Sequence, residues 1–74
     1  MTPAEFRTIG EALRGPRWKA ALAKELQCSE SAVRFWANGK RPIPVGVPNT
    51  LLSLLDRQME KLTRLRGKIL KRTE

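Results

Sequence analysis

Histidine is absent from the 74 residues, and cysteine occurs once, at Cys28. One thiol cannot close an internal disulfide, and without imidazoles the chain has too few ligands for an intrachain zinc site. The same absence leaves Ser29, Ser31 and Ser53 with no base to activate them, so the residues of a nucleophilic catalyst are missing. No apolar run is long enough to span a bilayer, and Met1–Gly10 does not read as a secretory leader. Together these absences predict a cytoplasmic protein that is not an enzyme and holds neither metal nor cofactor. Its length suits one domain, near the lower limit for folding without a staple.

Acidic residues are also scarce. Seven Asp and Glu face fifteen Lys and Arg, giving a net charge of +8 and an isoelectric point near 10.9. Such a balance favours a polyanionic partner. The excess is uneven: residues 1–30 carry five basic and four acidic groups, whereas residues 31–50 hold Arg34, Lys40 and Arg41 with no acid. Residues 51–74 carry seven basic groups against Asp56, Glu60 and Glu74.

Local patterns point to helices throughout. Thr2-Pro3-Ala4-Glu5 is a helix start, with Thr as N-cap, Pro in the first turn and Glu three residues after the cap. Phe6, Ile9 and Leu13 then mark one apolar stripe, and Gly15-Pro16 closes that helix. A second helix is expected over Lys19–Leu26, with Leu22 and Leu26 on one face and Trp18 packing onto Leu22. Gln27-Cys28 forms a turn, and Ser29 caps a third helix running through Phe35-Trp36. Ala23 stands where these two helices cross most closely, and a larger side chain there would force them apart. Gly39 reads as the left-handed residue that ends the third helix. Pro42–Pro48 (PIPVGVP) is then an extended connector offering Ile43, Val45 or Val47 to the core. Asn49 or Thr50 caps a last helix from Leu51 to about Lys71, whose Leu51, Leu52, Leu54, Leu55 and Met59 are expected to bury. Leu55, Leu62 and Ile69 recur every seven residues, but Gln58 interrupts the alternate seam.

The stretch Lys19–Asn38 therefore reads as two short helices over a tight turn, a helix-turn-helix. Residues 19–41 resemble the helix-turn-helix of the phage Cro and repressor family, the xenobiotic-response-element type. The resemblance rests on Leu22-Ala23, Leu26, an apolar Cys28, Ser29, Val33, Trp36 and the tail Asn38-Gly39-Lys40-Arg41-Pro42. It implies an all-α, lambda-repressor-like domain of four to five helices with a long C-terminal helix. Residues 1–60 would form the DNA-binding domain, and 61–74 a basic helical extension, either a dimerisation element or a solvated tail. Gln27 departs from the pattern, because glycine usually fills that left-handed turn position.

The resemblance also implies roles. Ser29, Glu30 and Ser31 fall at the N-terminus of the recognition helix, which enters the major groove of double-stranded DNA. Arg34 lies one turn on, with Phe35 beside it, completing the base-reading set. Arg34 can bind guanine O6 and N7 with two bonds, or grip a phosphate. Glu30 can accept from cytosine N4 or favour the helix N-terminus through the dipole. Phe35 can meet a thymine methyl or pack inward. Lys19, Asn38, Lys40 and Arg41 match positions that hold the phosphate backbone. The implied function is transcriptional regulation, most simply repression by occupancy of an inverted repeat as a homodimer in a phage or bacterial setting. Two alternatives stand beside it. One is an antitoxin-type protein that also covers a protein partner. The other is an amphipathic membrane or RNA binder using the helix from Leu51 to Arg72.

Overall fold

A computed structural model of the chain describes residues 1–73; Glu74, counted above in the C-terminal charge and in the 61–74 extension, lies outside the described residues. Among the described residues the chain is all-helical. Helices α1 (Pro3–Arg14), α2 (Trp18–Leu26) and α3 (Glu30–Ala37) pack together, and a long α4 (Val47–Thr73) completes the core and runs beyond it. A short 3-10 turn, Gly15–Arg17, joins α1 to α2.

The start of α1 is the capping box that its sequence predicts. Glu5 N–H donates to Thr2 Oγ1 at 3.1 Å, and Thr2 N–H donates to Glu5 Oε1 at 2.8 Å. The Thr2 backbone N–H first, and then the Thr2 side chain, stabilise the Glu5 carboxylate and hold its pKa below the ordinary value. The helix ends at Gly15, whose φ of 75° lies in the left-handed half of conformational space.

Phe6 sits at the centre of the core with no exposure. It meets Trp18 and Trp36 edge-on, with ring centroids at 5.4 and 6.2 Å. Such pairs contribute about 0.5–1.5 kcal/mol beyond the area they bury. Leu13, Leu22, Ala23, Val33, Ala37, Val47, Leu51 and Leu54 complete the buried set, with Ile9 and Leu26 packed at its edge. The Trp18 indole lies directly on Gly10, so close that α1 has no room there for any side chain. At the surface, Arg14 Nε and Nη2 both donate to Glu25 Oε1, at 2.8 and 2.5 Å, and tie α1 to α2.

Several expectations require correction. Helix α2 opens at Trp18, one residue early, and α3 runs to Ala37. Helix α4 begins at Val47, so neither Asn49 nor Thr50 caps it. Pro48 falls in its first turn, where a missing N–H costs nothing. Val47 is buried and its N–H donates to Pro44 O at 3.1 Å, while Thr50 N–H donates to Gly46 O at 3.3 Å. Of the connector's three apolar residues, Val47 is buried and Ile43 half-buried, but Val45 is 93% exposed. Leu52 and Met59 do not bury either, being 57% and 66% exposed. They lie to the side of the Leu51–Leu54 face that meets the core. From Lys61 to Arg72 every residue is exposed. The molecule consequently measures 52 × 22 × 21 Å, against about 40 Å for a 27-residue helix alone.

Candidate nucleic-acid interface

The turn between α2 and α3 is built by three backbone features. Gln27 is left-handed (φ 56°, ψ 45°), a conformation that disfavours a β-carbon. Its N–H donates to Lys24 O at 3.2 Å, and Cys28 N–H donates to Ala23 O at 3.0 Å, closing a Schellman motif. Cys28 packs against the core behind the turn, and burial pushes its thiol pKa up. Ser29 then caps α3, its Oγ accepting from Ala32 N–H at 3.1 Å. Val33 and Ala37 face inward, which leaves one outward face bearing Glu30, Ser31, Arg34 and Asn38, with Phe35 half-buried at its edge.

The geometry refines each proposed role. Ser29 Oγ accepts from Ala32 N–H in the cap, which leaves its hydroxyl proton free to donate outward. Glu30 and Arg34, one turn apart, approach to 3.6 Å while staying 48% and 58% exposed. Such a pair is weak, about 0.2–1 kcal/mol, so Arg34 can leave Glu30 for a stronger partner. Ser31 is exposed between them. At the C-terminal end Asn38 Oδ1 accepts from Lys40 N–H at 3.1 Å, and Gly39 takes a φ of 80°. Arg41 N–H returns to Phe35 O at 3.4 Å. That fold-back sets the Arg41 guanidinium 4.6 Å from the centroid of the Phe35 ring. Phe35 thus acts as a platform for a cation as well as an apolar contact. Asn38 keeps its amide N–H groups free, and Lys40 is exposed.

Lys19 lies at the other border, half-buried, with its Nζ 5.7 Å from the Trp18 ring centroid. It shares a shallow cleft with Glu11, Arg17, Trp18 and Glu30. The fold therefore brings Lys19 into one cleft with Glu30, the first residue of α3. Arg17 is a cation that sequence reasoning passed over: its place in the Gly-Pro-Arg turn carries no periodicity, yet it lines the same cleft, exposed. Arg7 was passed over too. Its Nη1 donates to Ala37 O and so holds the C-terminal end of α3 against α1.

The outward face of α3 is thus bordered by Arg17 and Lys19 at one end and by Lys40 and Arg41 at the other. Between Ser31 and Leu55 the chain has no acid to offset them. Comparison of the chain with family models, curated proteins and solved structures gives no match.

Proposed function

We propose that the chain is a sequence-specific double-stranded DNA-binding regulator, with α2 and α3 as its helix-turn-helix and α3 as the reading helix. One observation carries this reading: a short, firmly capped helix presents a mixed polar face with cations at both ends. An eight-residue helix is about 12 Å long, and the B-DNA major groove is about 12 Å wide and admits it. Lys19, Arg17, Lys40 and Arg41 dock on phosphates, which sets register without reading sequence. Asn38 donates its amide N–H groups to the same backbone. Arg34 exchanges Glu30 for guanine O6 and N7, while Ser31 and the released Glu30 meet neighbouring base edges. The resemblance of residues 19–41 to the Cro and repressor helix-turn-helix supports the same assignment. Repression by occupancy follows as the simplest consequence, with two copies on an inverted repeat doubling the bases read.

Selection of bound duplexes from a randomised pool at physiological salt tests the proposal. An enriched inverted repeat with half-site centres about one helical turn apart is the expected result. Binding that falls with salt but enriches no sequence overturns it.

A further inference from the structure

Helix α4 leaves the core without changing its face. In a helix, positions seven apart point in nearly the same direction. Leu62 and Ile69 therefore continue the direction of Leu55, and Leu65 that of Leu51. Lys61 and Lys68 continue that of Leu54. Leu51 and Leu54 are 1% and 7% exposed, whereas Leu62, Leu65 and Ile69 are 54%, 44% and 64% exposed. The side of α4 that α1–α3 cover in its first turns is thus bare further on. It forms the inner wall of a corner. At the vertex lies a concave groove with Arg14 and Glu25 on one wall and Leu54, Arg57 and Lys61 on the other. Arg14 is neutralised by Glu25 on the same wall. Arg57 and Lys61 have no ion pair among the described residues.

We infer that this corner is a docking groove for an acidic amphipathic helix of a partner protein. The inference does not rest on the DNA-binding reading. Apolar residues of the partner cover Leu62, Leu65 and Ile69, and its carboxylates meet Arg57, Lys61 and Lys68. Charge selects this occupant. After Glu60 no described residue is acidic, while Lys61, Arg64, Arg66, Lys68, Lys71 and Arg72 are basic. A second copy fits poorly. Pairing two α4 helices along Leu55, Leu62 and Ile69 places Gln58 and Arg72 in the alternate seam. In a parallel pair Lys61 then faces the partner's Arg66, and like charges at those flanks oppose association. A flat anionic bilayer fits poorly too, because the body of the domain stands on the same side as the stripe and meets a plane first. Nucleic acid has no use for the apolar stripe.

The test uses the full chain and two synthetic helical peptides with the same leucine seam, one flanked by glutamate and one by lysine. Calorimetry is expected to show binding of the glutamate peptide only. Lys61→Glu with Lys68→Glu should weaken it at least about tenfold, the sum of several exposed ion pairs. Lys24→Glu, an equal change per site on exposed α2 surface, should leave it unaltered. Leu62→Ser with Ile69→Ser should abolish binding with an unchanged melting temperature, since both side chains are already more than half exposed. Equal affinity for both peptides, or equal loss with Lys24→Glu, overturns the inference. So does a low-micromolar dimer in sedimentation that Leu62→Ser dissociates. Capture by phosphatidylglycerol vesicles without glutamate-peptide binding overturns it as well.

Discussion

Replacing Gly10 with alanine should destabilise the domain, although glycine in a helix interior is ordinarily worse than alanine by about 1 kcal/mol. A β-carbon at this position would stand 2.2 Å from Trp18 Cε3, 2.6 Å from Cδ2 and 2.7 Å from Cζ3. Ordinary contact begins at 3.4 Å, so the indole must retreat by more than about 1 Å. It has nowhere to go. Trp18 is 3% exposed, its ring is met edge-on by Phe6, and its backbone opens α2. Overpacking of this kind costs about 1–3 kcal/mol, and so deep an overlap belongs at the upper end. Subtracting the propensity gain leaves a net loss of about 2 kcal/mol. For a domain of this size that lowers the melting temperature by roughly 8–15 °C. Thermal unfolding followed by circular dichroism at 222 nm measures it. Gly67→Ala is the control, because that helical position opens onto empty space and should lose nothing. An unchanged or higher melting temperature for Gly10→Ala would refute the seating of Trp18 on α1.

Three further outcomes are expected. Gln27→Gly should raise the melting temperature by a few degrees, because it relieves a left-handed strain of about 1 kcal/mol; a lower value contradicts the turn geometry. Arg34→Ala should cost about 1–3 kcal/mol of DNA affinity and relax preference at one base pair, whereas Lys40→Ala should weaken all sequences alike and reduce the salt slope by about one; uniform loss in both makes Arg34 a phosphate contact. Folding lowers the Glu5 pKa, so its contribution to stability is complete above the ordinary carboxylate range and disappears as pH falls through the depressed value. Melting temperatures of the chain and of Glu5→Gln should therefore differ near pH 6 and draw together as the pH falls below the ordinary carboxylate range, and a gap that widens on acidification rules this out.

Local signals were the most legible. Thr2 through Glu5 announce their capping box because every partner lies within three residues. Ser29 and Gly39 mark the two ends of α3 for the same reason, whereas the left-handed conformation of Gln27 is expected only from the family resemblance and not from its own type. What depends on distant packing was harder to see. Leu51, Leu52, Leu54, Leu55 and Met59 form one broad apolar band in the sequence, and only the position of α1–α3 decides that Leu52 and Met59 stay outside. Pro48 looked like the end of a connector, yet burial of Val47 draws it into the first turn of α4. Gly10 passes for a weak spot in a helix until Trp18 is seen resting on it. At the candidate site, the outward set on α3 follows from helical period alone. Arg17 and Arg7 do not, because a 3-10 turn and a contact spanning thirty residues leave no periodic trace.

Most of the residues that hold α3 are not the ones it displays. Val33, Ala37, the Ser29 cap and the Arg7 clasp on the Ala37 carbonyl fix its axis, and none of them belongs to the outward set Glu30, Ser31, Arg34 and Asn38. Substitutions of Ser31 and Arg34 leave the scaffold's stability nearly untouched, since surface changes away from caps and core typically fall within about 0.5 kcal/mol, whereas Asn38 also accepts from Lys40 N–H at the end of the helix. The domain is therefore evolvable in a particular sense: the display on α3 can be rewritten, by drift or by a designer, while the body that carries it stays the same.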